Sequence, residues 1–306
     1  MKRVLVTGAS GFLGKHCLPE LVVRGFDIHA VSSKPMESPT GSVHWHVADL
    51  LDDGSAARLV AAVTPTHLLH LAWYTKHDHY WTALQNVLWV EASLRLVRAF
   101  ADAGGGRAVF AGTCAEYGWT GGACHETNTP RAPATLYGAC KNALWDVVAA
   151  FSEPAGIAAA WGRLFWLYGP HESSDRLVPA VTCALLRGEP VPCSSGRQLR
   201  DFMYVGEAAR AFAALLDSSV SGPVNIASGE ATSIAALVNA LGEEIGHREL
   251  IEFGALPDRS GEPTIVVADV SRLRCELGFV PQVDLAQGVR RTVDWWRRLV
   301  LVRSCP

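Results

Sequence analysis

The chain has 306 residues, 49% of them hydrophobic and 19% charged, with a formal net charge of −3. Such a length holds one large domain or two smaller ones, with ample interior for a core. The charge balance gives no general attraction to nucleic acid or to an anionic membrane, so any phosphate site must be local.

No run of about eighteen apolar residues occurs, so no membrane span is expected. Lys2 and Arg3 precede an apolar run too short for a signal peptide. Eight cysteines, at Cys17, Cys114, Cys124, Cys140, Cys183, Cys193, Cys275 and Cys305, form no CxxC pair. Reduced thiols in a cytoplasmic protein are the simple expectation. Among eleven histidines, His77-x-His79 draws attention, but no cysteine or carboxylate stands at ligand spacing. No metal site is expected on that basis.

The first element is Val4-Leu5-Val6-Thr7-Gly8-Ala9-Ser10-Gly11-Phe12-Leu13-Gly14, with a helical pattern running on from Lys15 to Val23. A strand, a tight glycine turn and a helix follow from it. The first amides of such a helix lack partners and carry partial positive charge, and glycines let a pyrophosphate approach them. Asp27–Val31 reads as a second strand ending at Ser32-Ser33-Lys34, and Val43–Ala48 as a third closed by Asp49-Leu50. A helix through Ala56–Val63 leads to a fourth strand, His67–Leu71, and a long amphipathic helix spans Leu84–Ala101. Ala108–Ala111 is a fifth strand, Tyr137–Phe151 a helix, and Ala158–Leu167 a sixth strand.

Strands alternating with helices at this spacing predict a doubly wound parallel α/β sheet, with ligands at the carboxyl ends of the strands. Those ends are polar: Gly8–Gly14, Ser32–Lys34, Asp49, Ala72–Trp73 and Thr113. From Tyr168-Gly169-Pro170 onward the strict alternation is lost. A helix is expected over Gly206–Leu216, a returning strand at Val224–Ile226, a helix over Ile234–Ile245 stopped by Gly246, and a last helix over Asp284–Leu299. The expected division is a dinucleotide-binding domain of 1–166 plus roughly 203–228. A smaller α+β substrate domain of 167–202 and 229–306 completes it.

Tyr137 and Lys141 stand four apart, one turn apart on one helix face. A free phenol titrates near ~10, and a nearby ammonium favours its ionised form. The pair is therefore expected to bring a tyrosine toward the range useful for proton transfer.

Thr7-Gly8-x-x-Gly11-x-x-Gly14 with Tyr137-x-x-x-Lys141 resembles the extended short-chain dehydrogenase/reductases. Asp49-Leu50, His70-Leu71-Ala72, Gly112–Gly118, Leu167–Pro170 and Arg200–Val205 look like segments of that family, in its order. The resemblance implies a Rossmann domain with a nicotinamide cofactor and a nucleotide-sugar under the C-terminal part. It implies Tyr137 as the proton donor or acceptor, Lys141 on the nicotinamide ribose, and Thr113 on the substrate oxygen. Cofactor contacts are expected from Gly8, Ser10, Gly11, Phe12, Leu13, Gly14, Leu50, Leu71, Ala72 and Trp73, with Asp49 against the adenine. Arg200 and Arg259 match arginines that meet the sugar nucleotide's diphosphate, and an arginine fork suits phosphate oxygens. Cys114 falls on the substrate side without a catalytic role. Ser32-Ser33-Lys34 stands where NAD binders usually place an acid, which favours NADP(H).

Departures from the family narrow the reaction. Cys114 and Ala115 replace the Asp-Glu pair that the family's 4,6-dehydratases carry. Arg176 falls where the C3/C5 epimerases hold a histidine, and Trp166 replaces a substrate-binding Asn. The aromatic stretch Trp73, Tyr74, His77, Tyr80 and Trp81 offers walls for a hexose pocket. The resemblance then implies an NADP(H)-dependent reductase of a nucleotide-linked 4-keto-6-deoxyhexose. A 4-epimerase with tightly bound NAD and a catalytically silent cofactor-binding regulator are the alternatives. The family's dimers imply pairing through the helices expected at Leu84–Ala101 and Tyr137–Phe151.

Overall fold

A computed structural model describes residues 2–37, 41–119 and 121–303; Cys305 lies outside them. In chain order the first half contains β1 (Arg3–Thr7), α1 (Phe12–Val23), β2 (Asp27–Ser32), β3 (Val43–Val47), α2 (Ser55–Val63), β4 (His67–His70), α3 (Gln85–Asp102), β5 (Arg107–Thr113), β6 (Ala123–Cys124) and α4 (Leu136–Ser152). Next come β7 (Ala158–Leu164), β8 (Trp166–Tyr168), α5 (Leu177–Leu186), β9 (Val191–Cys193), β10 (Leu199–Tyr204), α6 (Val205–Leu216) and β11 (Gly222–Ile226). The chain closes with β12 (Ala231–Ser233), α7 (Ile234–Ile245), β13 (Ile251–Phe253), β14 (Ile265–Ala268), α8 (Ser271–Cys275) and α9 (Leu285–Arg303).

The main sheet has seven parallel strands in the order β11-β7-β5-β4-β1-β2-β3. Alternation along β1 sorts its two faces. Val4 and Val6 pack with Cys17 and Leu21 of α1 and with Phe212 of α6. Leu5 points the other way, into a core shared with Leu59 of α2, Phe100 of α3 and Leu144 of α4. This is the expected Rossmann arrangement, helices on both faces of a parallel sheet.

The expected sixth strand divides. Ala158–Leu164 stays in the main sheet, whereas Trp166–Tyr168 leaves it and pairs with β10, Trp166 opposite Phe202. No glycine or proline falls at Phe165 itself, which lies inside the apolar stretch Leu164–Tyr168, so nothing at that position marks the break. The second sheet runs β12-β10-β14-β6, with β8 also on β10. It therefore includes Ala123–Cys124 from the first half of the chain. A third core lies under α5, α7 and α9, built on Val181, Leu185, Leu237, Leu241 and Val293. Gly246 ends α7 in the left-handed region, φ 94°, as expected.

Candidate active site

Two glycines make the turn after β1. Gly8 has φ 68°, and a Cβ there would lie 2.6 Å from the amide nitrogen of Ala72. At Gly14 a Cβ would lie 2.2 Å from the carbonyl oxygen of Gly8. Without side chains at these positions the turn closes onto the segment after β4, and α1 packs onto the turn. Gly11 begins α1 with no side-chain cap, so the helix's first amides remain available to a phosphate. A dinucleotide pyrophosphate fits this cradle.

Beside it, Thr7 Oγ1 meets His70 Nδ1 at 2.7 Å and His70 Nε2 meets Ser93 Oγ at 2.8 Å. Ser93 donates its own proton to the Trp89 carbonyl. It therefore accepts from His70 Nε2, and Thr7 donates to Nδ1. Burial holds the His70 pKa down to about 3, so the neutral ring pins the ends of β1 and β4 together. At the end of β2, Ser32 is buried and its Oγ accepts the Lys34 amide at 3.2 Å, while Ser33 and Lys34 are exposed. Asp49 is exposed and accepts the Leu51 amide at 3.0 Å.

Thr113 ends β5 and caps the short turn that follows. Its amide donates to Glu116 Oε1 at 2.8 Å and its Oγ1 accepts from the Ala115 amide at 3.2 Å. Glu116 is fully buried and also accepts from Trp161 Nε1 and Arg163 Nε, each at 2.8 Å. Tyr137 stands on α4, partly buried, with its hydroxyl hydrogen-bonded to Thr113. Its ring is met edge-on by Tyr80 at 5.0 Å, Trp81 at 5.9 Å and Trp73 at 6.5 Å between centroids. The aromatic stretch after β4 thus walls in the tyrosine.

Lys141 corrects one expectation. Its ammonium donates to the Ala111 carbonyl at 2.8 Å and lies 3.8 Å from the centre of the Trp73 ring. Burial pushes the lysine down to about 7, opposed by Glu116. Burial also pushes the Tyr137 phenol above its ordinary value, opposed by the Thr113 hydrogen bond. Desolvation outweighs the Thr113 contact, and the phenol keeps its proton.

The substrate side differs from expectation in its arginines. Arg200 is buried; Nη2 donates to Glu262 Oε1 at 2.8 Å and the guanidinium lies 5.1 Å from the Trp166 ring. Glu262, rather than the crevice, holds it. Arg259 is exposed on the same segment as Glu262. Cys114 is buried, and burial pushes its thiol well above the usual range, which suits no acid–base role. Arg176 lies 5.1 Å over the Tyr80 ring and donates to the Thr75 carbonyl at 3.3 Å.

Sequence reasoning missed Glu116 and Arg163. An acidic residue three places after the Thr113 cap was the available signal, as in a capping box. For metals, His77 faces Asp78 at 3.4 Å. His125, Glu126 and Asp269 bring ligand atoms within 4.8 Å of one another. The amides of Thr127, Asn225 and Ser271 donate to His125 Nδ1, Glu126 Oε1 and Asp269 Oδ1, while the buried Glu126 Oε2 has no hydrogen-bond partner among the described residues. No helix among the described residues is long and apolar enough to cross a membrane.

The model of the NAD dependent epimerase/dehydratase family matches residues 4–227. UDP-glucuronic acid decarboxylase 1 of Xenopus tropicalis is 25% identical, over 97% of this chain and 72% of its own. A dTDP-glucose 4,6-dehydratase of Xanthomonas campestris is 28% identical, over 95% and 92%. Among solved structures, MoeE5 in complex with UDP-glucuronic acid and NAD superposes with a TM-score of 0.86 at 32% identity, covering 97% of this chain and 99% of that one.

Proposed function

The chain belongs to the NAD dependent epimerase/dehydratase family, and on that premise we propose that it is an NADP(H)-dependent reductase of a nucleotide-linked 4-keto-6-deoxyhexose. The observation that carries this reading is the placement of Tyr137 on α4 beside Thr113, with its ring walled in by Tyr80, Trp81 and Trp73. No second acid–base pair stands beside it: Cys114 is held protonated by burial and the next position is Ala115. Water elimination therefore lacks its machinery, and a protonated phenol suits delivery of a proton to a ketone.

The nicotinamide dinucleotide, bound along Gly8–Gly14 and by Ser33 and Lys34, supplies the hydride. Thr113 holds the carbonyl oxygen and Tyr137 donates the proton to the alkoxide that develops there. Lys141 lies one helical turn away and offers its ammonium to the ribose once the Trp73 ring yields that face. Arg259 supplies charge for the diphosphate, and Arg200 joins it if Glu262 gives way. The intact set of Thr113, Tyr137 and Lys141 argues against a silent regulator.

A second reading, a 4-epimerase with retained NAD, is favoured by the NAD and UDP-sugar held by the similar solved structure. Incubation with a nucleotide 4-keto-6-deoxyhexose separates the two. One NADPH consumed per alcohol formed supports reduction; redox-neutral interconversion of nucleotide sugars with no NADPH loss overturns it. Seven free cysteines among the described residues fit a reducing compartment. The apolar outer faces of α3 and α4 support a homodimer through those helices.

A further inference from the structure

Three side chains that the reaction does not use meet just past the end of the β6–β14 pair. These strands run parallel with Cys124 opposite Ala268, so His125 and Asp269 leave the pair side by side. The Asp269 amide donates to the Cys124 carbonyl at 2.9 Å. Asn225, on β11, pins the group. Its Nδ2 donates to the carbonyls of Cys124 and Asp269 at 2.8 and 2.9 Å, and its amide donates to Glu126 Oε1 at 2.8 Å. One ring nitrogen of His125 and one carboxylate oxygen each of Glu126 and Asp269 lie within 4.8 Å of one another. His125 and Glu126 stand far from Asp269 in the sequence, so only the strand pairing brings the three together.

Glu126 is 4% exposed, and its Oε2 is buried without a hydrogen-bond partner among the described residues. A buried carboxylate oxygen left without a donor is costly, and such a gap calls for an ion or an ordered water. His125 and Asp269 are partly exposed, which opens a path from solvent to the buried carboxylate. Glu126 Oε1 keeps the Asn225 amide and Asp269 Oδ1 keeps the Ser271 amide at 2.8 Å, so each carboxylate still has a second oxygen to offer. His125 Nδ1 accepts the amides of Thr127 and Asn128 at 3.2 and 3.4 Å and lies 3.1 Å from Thr127 Oγ1. A cation on Nε2 moves the ring proton to Nδ1, which then donates to Thr127 Oγ1. That hydroxyl donates in turn to Asn128 Oδ1 at 3.1 Å. Two long amide contacts are exchanged for a chain that fixes the ring.

We propose that His125, Glu126 and Asp269 form a site for a first-row divalent cation, zinc foremost, held by Nε2 of His125 and the two carboxylates. Two carboxylates balance the ion's charge, and an imidazole beside them selects zinc over magnesium or calcium. Three protein ligands leave the outer position to water. Arg272 acts on Glu126 through its charge, but its own hydrogen bonds go to Glu276 and to the carbonyls of Pro223 and Ser221. That neighbouring charge limits affinity. A bound ion ties β6, and with it the segment between Thr113 and Tyr137, to β14 of the second sheet. The effect reaches the crevice through bonded groups: Asn225 Oδ1 accepts from the Tyr117 hydroxyl at 2.7 Å, and Arg163 joins that hydroxyl to Glu116.

The test is calorimetric titration of the untagged, chelator-treated full-length chain with zinc sulfate, with melting followed in parallel. One equivalent is expected, with a dissociation constant on the order of 1–10 µM. Zinc at about a hundred times that constant should raise the folded-to-unfolded ratio about a hundredfold. Asp269→Asn keeps an acceptor for the Ser271 amide and Glu126→Gln keeps one for Asn225, so both variants should fold. Each should weaken zinc at least about tenfold and lose most of the stabilisation. His79→Ala and His44→Ala, at exposed positions of other segments, should leave both readings unchanged. Three results would overturn the proposal: no saturable binding below about 1 mM, equal affinity in Asp269→Asn, or loss of binding in His44→Ala with Asp269→Asn unaffected. The first of these would leave the Glu126 oxygen to an ordered water.

Discussion

Lys141 Nζ sits 3.8 Å from the centre of the Trp73 ring and takes its one backbone contact from Ala111, 2.8 Å away. The indole face stands in for water around the ammonium, and burial brings the lysine to about 7. An unfolded lysine titrates near 10.4. Between the two values the unfolded chain holds a proton that the native chain lacks, so stability rises with pH across that window. Below about 7 the full penalty for charging a buried lysine applies. Lys141→Met should raise the unfolding free energy at pH 7 by roughly 2–4 kcal/mol and flatten its rise toward pH 10. Urea unfolding at several pH values checks both. A less stable variant would mean that the ammonium stabilises the fold.

Cofactor choice rests on Ser33 and Lys34, which are exposed where Ser32 is buried. Lys34→Ala should weaken NADP(H) about tenfold, the value of one lysine–phosphate contact, and leave NAD(H) within about twofold. Quenching of tryptophan fluorescence gives both constants. Tighter binding of NAD by the unaltered chain would reverse the assignment.

Glu116 is buried among three donors, the Thr113 amide, Trp161 Nε1 and Arg163 Nε. Removing its charge strands the Arg163 guanidinium in the interior. Glu116→Gln should cost about 3–5 kcal/mol of stability, the usual result of breaking a buried pair from one side. Turnover of the folded fraction should fall as well, because a neutral amide oxygen holds the Thr113 N–H more weakly than the carboxylate does. Denaturant midpoints and activity per folded molecule measure the two effects. A loss under about 1 kcal/mol would deny the pair any structural role.

On the outer faces of α3 and α4, Val87 is 52% exposed, Leu88 50% and Val147 47%. Val87 lines a groove there with Val90, Glu91, Leu94 and Ala143. Leu88→Glu should yield a monomer by light scattering, with its fold intact by circular dichroism. An unaltered chain that is already monomeric at micromolar concentration would remove this interface.

Much of the fold is legible because parallel strands buried on both faces are short apolar runs between polar turns. The boundaries of β2, β3 and α2 agree with the pattern to within a residue. The missed features depend on long-range pairing. Phe165 carries no local mark of the break between β7 and β8, and the Arg200–Glu262 bond joins residues 62 apart. The Tyr137–Lys141 spacing was visible, but its electrostatics were not. Trp73 and Trp161 come from distant segments and dry the lysine's surroundings, so burial rather than mutual attraction sets both groups.

Single-turnover oxidation of bound NADPH by a nucleotide 4-keto-6-deoxyhexose, in the unaltered chain and in Tyr137→Phe, addresses the proton donor itself. The variant should bind NADPH normally and lose about 10²–10⁴-fold in rate. Oxidation at an undiminished rate in the absence of the phenol would contradict the role given to Tyr137.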